Sequence, residues 1–207
     1  MFPSTGNMLL MMSFAAGTFF SGTSSNPQHL MLAAPSNGIP NNLLPLIIYP
    51  RVAPDELFDE ENPGDIAAFF EERFAQNGWI PRWRDQVFPY THYHPNTHEL
   101  LGICDGWAEI LFGGESGRMV TLRAGDVVLI PAGVGHQQVA ASEEFFAVGA
   151  YPGDMEPVIL RDDRSIMANS IEQIKRVPLP KTDPITGGEG AVIDYWHPVA
   201  KQAGYAL

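Results

Sequence analysis

The sequence predicts an all-β fold: an antiparallel architecture that closes into a barrel or packs as two sheets, of which the jelly roll is one standard form. Short apolar runs recur at residues 87–94, 99–104, 107–112, 119–122, 127–130, 137–141 and 145–151. Turn sequences separate them at Asp105-Gly106, 113–117, Ala124-Gly125-Asp126 and 131–135, supplying the positive-φ and proline-fixed positions that tight antiparallel connections need. The chain also holds 18 prolines and 20 glycines in 207 residues, a texture that suits strands and turns better than a helical bundle.

Taken in order, the elements begin with an anomaly. The first fifty residues contain no Asp, Glu, Lys or Arg, and five of the eight methionines fall within the first thirty-one. The run 8–20 is apolar enough for a signal-peptide core, yet no Lys or Arg precedes it and it is too short to span a bilayer. Residues 1–27 are therefore expected to be a poorly ordered apolar leader, with a cleaved signal or a start codon placed too far upstream as the other readings. Extended runs follow at 30–34 and 43–49, divided by turns at Pro35-Ser36-Asn37-Gly38 and Pro40-Asn41-Asn42. A helix is expected at about 63–77, with Ile66, Phe69, Phe70 and Phe74 on one face, Asn62 as cap, Pro63 in the first turn and Asn77-Gly78 as its end. The strands listed above complete a domain over 28–156. Residues 157–207 read as an irregular C-terminal extension with a short helix at 166–175 and a last apolar segment at 191–196, packing on the barrel or a neighbouring subunit through Trp196.

Asp and Glu outnumber Lys and Arg by 24 to 12, a net charge of −12 that disfavours nucleic acid and anionic membrane surfaces as partners. Cys104 is the single cysteine, which excludes an intramolecular disulfide framework and suits a reducing compartment. It is expected to be a buried structural thiol. The location expected is cytoplasmic, with the N-terminal segment leaving secretion open.

The chemistry concentrates in Thr91-His92-Tyr93-His94-Pro95-Asn96-Thr97-His98-Glu99. Residues two apart on a strand share a face, so His92 and His94 can present both imidazoles to one interior point. A turn at Pro95-Asn96 starts a neighbouring strand whose first carboxylate, Glu99, can reach the same point. A second segment, 125–136, runs a buried strand into a Pro-Gly turn and delivers His136. Three imidazoles and one carboxylate suit one divalent ion, Fe, Mn, Zn, Ni or Cu, and leave coordination positions open.

The two segments resemble the two signature motifs of the cupin superfamily. His92, His94, Glu99 and Gly106 match the first, with Gln86 where the family usually begins with glycine. Gly125, Pro131, Gly133 and His136 match the second, with Ala140 where asparagine is common. The resemblance implies a cupin jelly-roll (double-stranded β-helix) barrel with a metal ion held by His92, His94, Glu99 and His136. Residues 28–160 are similar to a group of small single-domain cupins without an assigned activity. The 18 residues from Trp107 to Ala124 leave room for one compact barrel, and no second copy of the motifs is present.

Other residues carry weaker readings. His98, beside Glu99, would point to the opposite face and is read as a second-shell or surface residue. Gly102 stands where a zinc-protease helix would need histidine, which excludes that motif. Tyr90 and Gln138 share strand parity with the histidines and are read as substrate-facing or second-shell side chains. Phe88 shares that parity but is expected to pack in the core. Arg82-Trp83-Arg84 is expected to serve structural ion pairing, and the glycine-rich stretches at 113–117 and 187–190 to be turns. The function expected is a metal-dependent oxidoreductase of dioxygenase type acting on a small organic molecule. A metal-dependent isomerase or lyase on a sugar or keto acid and a non-catalytic small-molecule binding or sensing module stand beside it. Partners are a small-molecule substrate and a second copy of the chain as a homodimer.

Overall fold

The computed structural model describes residues 26–59 and 64–203. The leader expected over 1–27 lies, but for its last two residues, outside the described residues, as do Asn62 and Pro63. Two antiparallel sheets form the jelly-roll barrel. One has six strands in the order β1 (Gln28–Leu32), β2 (Asn42–Tyr49), β8 (Val127–Ile130), β5 (Glu99–Asp105), β10 (Phe146–Pro152) and β3 (Trp79–Asp85). The other has five: β11 (Leu160–Arg161), β4 (His92–Tyr93), β9 (His136–Ala141), β6 (Trp107–Phe112) and β7 (Arg118–Arg123). Among the described residues no helix is long and apolar enough to cross a membrane.

Strand alternation splits the core into two layers. On β5, Leu101 and Ile103 face inward and meet Val128, Ile130, Ile110, Phe112 and Leu122 between the sheets. Leu100 and Cys104 face outward into a second cluster with Phe70, Phe74, Val192 and Trp196. A sheet buried on both faces explains why 99–104 reads as a continuous apolar run rather than an alternating one. Gly102 is the position of closest approach: a Cβ there would lie 2.7 Å from the Phe70 ring and 2.9 Å from Phe74. Cys104 is buried in this outer layer and unpaired, its thiol pushed up to about 12 by burial.

The outer layer is supplied by helices. Helix α1 (Ile66–Gln76) buries Ile66, Ala67, Phe70 and Phe74, and Asp65, rather than Asn62, caps it by accepting from Ala68 N. Phe69 lies at the margin, under the Arg73 guanidinium. Helix α2 (Met167–Ile174) is followed by a loop and a π-helical turn, Val192–Trp196, that runs into α3 (His197–Ala203). Trp196 is buried here, its Nε1 donating to Pro45 O at 2.7 Å. Buried Asp183 holds the same segment to β2: it accepts from the Tyr49 hydroxyl at 2.7 Å and from the backbone N–H of Ile185, Thr186 and Val192. Burial, reinforced by the Asp183 charge, pushes the Tyr49 hydroxyl far up.

Two differences from the sequence expectation have clear causes. The run 87–94 is a strand only at His92–Tyr93: Pro89 cannot donate to a ladder, and β9 holds that backbone by one main-chain bond, Gln138 N to Phe88 O at 3.0 Å, and otherwise by the side chains of Gln137 and Gln138. Strand β3 is absent from the expectation because Pro81 and three charged residues mask its periodicity. It lies at a sheet edge, paired to β10 alone, where proline is tolerated.

Replacing Trp196 by alanine removes one of the two buried tryptophans of the outer layer together with its hydrogen bond. The expected loss is about 3–5 kcal/mol of unfolding free energy, read as a shifted urea midpoint with an unchanged slope. A midpoint within experimental scatter of the wild type would show that the C-terminal segment does not stabilise the barrel.

Candidate metal centre

The register of the five-stranded sheet places His92 directly opposite His136, with ring centroids 4.0 Å apart. His94 follows His92 on the same side, 5.5 Å from it and 5.4 Å from His136. Each of the three offers a ring nitrogen within 4.8 Å of the others, and all three are buried. Gly133, with φ of +84°, makes the left-handed step of the turn that carries His136, and its N–H donates to His94 O at 2.8 Å.

The hydrogen bonds decide which nitrogens converge. Nδ1 of His92 lies 3.1 Å from Tyr90 O, Nδ1 of His136 lies 3.1 Å from Val134 O, and Nδ1 of His94 lies 2.9 Å from Val158 O. A carbonyl oxygen only accepts, so each Nδ1 carries the proton and each Nε2 presents its lone pair to the shared point. That is the tautomer a divalent ion requires.

Glu99 enters from the facing sheet, on the inward parity of Leu101. Its Oε2 lies 2.9 Å from Nε2 of His136 and 3.3 Å from Nε2 of His94. Its Oε1 accepts from the Tyr151 hydroxyl at 2.6 Å, and that hydroxyl accepts from Trp83 Nε1 at 2.9 Å. His94 Nε2 and Glu99 Oε2 are buried without a hydrogen-bond partner. Lone pairs facing one another in a dry site repel unless a cation lies between them, so the donor set fits a bound ion. Burial would raise the Glu99 carboxyl, but the positive charge that His94 and His136 bring when protonated outweighs it and holds it well below the usual range. For His94 burial acts downward and is outweighed by Glu99, leaving a net rise. His92, buried and beside His136, is pushed down to about 3.

The four residues end a cavity of about 270 Å³. Trp83, Val87, Leu101, Pro157 and Ile159 supply its apolar walls, and Asp85 and Gln86 lie on its polar margin. Phe88, expected in the core, is instead 42% exposed and lines this cavity, because the segment carrying it leaves the sheet. Its ring stacks on Tyr90 at 4.9 Å and meets His92 edge-on at 5.1 Å.

Tyr90, His98 and Gln138 do not line the cavity. Tyr90 acts on His92 through its carbonyl, while its ring lies between Phe88 and the Arg161 guanidinium, 4.1 Å away. Gln138 braces the cavity wall, accepting from Val87 N at 3.2 Å and donating to Gln86 Oε1 at 3.0 Å. His98 faces away from Glu99 as its parity predicts, yet it is buried, against Trp196 at 4.7 Å, and not at the surface. There its Nδ1 accepts from Ala132 N at 3.0 Å and steadies the turn before His136 from behind. Arg84 forms a two-pronged pair with Glu71 on α1, and Arg82 meets Asp154, as structural ion pairing requires.

The roles of Trp83, Tyr151 and Asn96 at the site are absent from the sequence reading. Alternation of apolar residues at 79, 81 and 83 with charged residues at 82 and 84 is the signal for Trp83; inward parity on β10 is the signal for Tyr151. Asn96 has no periodic signal: its amide donates to Glu156 O at 2.8 Å and accepts from Val158 N at 2.9 Å, fixing the residue whose carbonyl holds His94.

This fold and site define a cupin, and the chain belongs to that family. Residues 85–148 match the cupin domain model. The chain is 37% identical over 164 residues to the uncharacterised protein YjlB of Bacillus subtilis (strain 168), covering 78% of this chain and 93% of that relative. Similar solved structures include acireductone dioxygenase from Bacillus anthracis with a cadmium ion in its active centre, at a TM-score of 0.33 and 18% identity over 46% of this chain. The match spans 64% of that neighbour, just under two thirds of its length. RmlC from Streptococcus suis in complex with dTDP-D-xylose matches at a TM-score of 0.33 and 14% identity, over 72% of this chain and 76% of that one.

Asn96→Ala frees the backbone that orients His94. The expected result is a loss of about 1 kcal/mol of stability and a His94 imidazole that no longer holds a single Nδ1–H tautomer, read by long-range ¹H–¹⁵N correlation. An unchanged His94 pattern in a folded variant would remove Asn96 from this role.

Proposed function

We propose that the chain binds one divalent metal ion, Fe, Mn, Zn or Ni, through His92, His94, Glu99 and His136, and acts as a dioxygenase-type oxidoreductase on a small organic molecule. The observation that carries this is the convergence of three Nε2 lone pairs and one carboxylate oxygen at the buried end of an apolar cavity. Such an ion, when bound, supplies Lewis acidity and open coordination positions for substrate and dioxygen. The chain's own residues do the rest: the Phe88 and Trp83 side of the cavity receives the apolar body of the substrate, Tyr151 keeps Glu99 aimed inward, and the walls exclude water.

An isomerase or lyase needs a titratable group beside the substrate in addition to the ligands, and the placement of Tyr90 and His98 outside the cavity weighs against that version. Tyr151 lines the cavity, but burial and the Glu99 charge raise its hydroxyl so far that it stays protonated and cannot serve as a base. The reading includes a cytoplasmic location, in keeping with the unpaired Cys104, and a homodimer, for which exposed Met31 and Leu43 on the β1–β2 hairpin offer an apolar face.

Elemental analysis of protein purified without added metal should find about one equivalent of a transition metal, and His94→Ala should lower occupancy at least about tenfold while the barrel stays folded. The loaded protein should consume oxygen with one member of a panel of thiols, diketones, phenols and small acids. Equal loading of wild type and variant would sink the site, and no oxygen uptake across the panel would sink the reaction.

Metal affinity should also fall with acidity in a definite place. The His94 proton competes with the ion, and because Glu99 raises its affinity for that proton, the loss should begin above the ordinary imidazole value of about 6.5. Below that point affinity should fall by at least about one decade per pH unit, the slope of the His94 proton alone. Glu99, held low, and His92, at about 3, stay unprotonated through this window. A competition titration showing flat affinity from about pH 8 to about pH 5 would remove His94 from the ligand set.

A further inference from the structure

We infer that the ligand of this cavity is a small monoanion with an aromatic or branched apolar body, its oxygen donors directed at the four converging residues. The inference rests on the metal reading above and narrows its substrate.

Size sets the first limit. A cavity of about 270 Å³ lies just under the range of roughly 300–1,000 Å³ typical of ligand pockets, too small for a nucleotide sugar or an oligosaccharide.

Polarity sets the second. Beyond the four converging residues, the polar side chains lining the cavity are few, each has at least one polar atom engaged already, and Asp85 and Gln86 sit on its solvent-facing margin. The Tyr151 hydroxyl is held between Glu99 and Trp83, Asp85 Oδ1 accepts from Gln86 N, and Gln86 Oε1 accepts from Gln138. A polyol entering here would lose its hydration without replacement, whereas an apolar body gains by leaving water.

Charge sets the third. A divalent ion with three neutral imidazoles and one carboxylate keeps one residual positive charge. Among the described residues no Lys or Arg lines the cavity. The nearby guanidiniums are turned elsewhere, Arg84 to Glu71, Arg82 to Asp154 and Arg161 to the Tyr90 ring. A monoanion neutralises the site. A dianion would carry an uncompensated charge into a weakly screening cavity, with Asp85 on its margin adding repulsion.

Shape gives the last element. Phe88 is held by its stack on Tyr90, and that ring is backed in turn by Arg161, which makes a supported aromatic wall at the cavity. A second ring meets such a wall in offset or edge geometry.

The test is calorimetric titration of the full chain loaded with Mn(II), its metal content measured first, using benzoylformate and oxalate. Both present adjacent oxygen donors; the first is an aromatic monoanion and the second a bare dianion. Benzoylformate should bind at least about tenfold more tightly. Phe88→Ala, and independently Ile159→Ala, should shrink that ratio with Mn(II) content unchanged. Oxalate binding as tightly as benzoylformate, or a ratio untouched by both variants, overturns the inference. A chain that takes up no metal overturns the metal reading instead. Saturation-transfer NMR on the metal-free chain then decides this one: transfer to the phenyl protons supports the apolar wall, and its absence overturns it.

Discussion

The buried Glu99 carboxylate is the constraint around which this molecule is organised. Removing an ion of its size from water costs several kcal/mol even after relaxation. The Tyr151 hydroxyl offsets about 1.5–3 kcal/mol of that through a hydrogen bond to charge. The second oxygen faces imidazole nitrogens whose protons have been drawn to the other side of each ring by backbone carbonyls. Without a cation the site is a set of acceptors with nothing to accept. Two cations can resolve this: a proton on an imidazole, which the raised His94 expresses, and a metal ion, which would satisfy all four donors at once. Proton and metal therefore compete for one position.

Such a carboxylate stays in place only if its strand cannot move, and the two-layer core provides that. Leu101 and Ile103 lock the inner face of β5 against the second sheet, while Leu100 and Cys104 lock its outer face against α1 and the Trp196 segment. Adjacent residues show the division: His98 turns outward onto Trp196 and Glu99 turns inward to the site. The C-terminal segment is thus mechanically part of the site without touching it. Its own anchor, Asp183, is a second buried carboxylate, satisfied entirely by a hydroxyl and backbone N–H groups, and it shows by contrast what Glu99 lacks.

The convergence of the four candidate ligands was legible in the sequence because it obeys local rules. His92 and His94 follow strand parity, Glu99 starts the next strand, and His136 follows a Pro-Gly turn whose geometry glycine dictates. The second layer was not legible, since it is made by contacts distant in sequence. Tyr151 reaches Glu99 across 52 positions, and Val158 reaches His94 across 64. The segment 86–91 misled for a physical reason. Its apolar composition resembles a strand, but Pro89 interrupts the ladder, and beyond one main-chain bond at Phe88 the side chains of Gln137 and Gln138 take its place. Phe88 consequently leaves the core for the cavity wall, and parity, which requires a regular strand, loses its meaning there.

The segment before β11 carries the last constraint. Pro157 and Ile159 line the cavity, and between them the Val158 carbonyl accepts from the His94 Nδ1–H while Asn96 grips the backbone on both sides of Pro157. Alternation in an extended chain gives one short stretch two tasks, setting the width of the cavity and the tilt of an imidazole. The two cannot be adjusted separately. A bulkier residue at 157 or 159 that pushes the segment outward also withdraws the acceptor that fixes His94, so a change in what the cavity admits reaches the coordinating nitrogen through a single peptide unit. Residues in this segment that never touch an ion are for that reason as tightly bound to its geometry as those that would hold it.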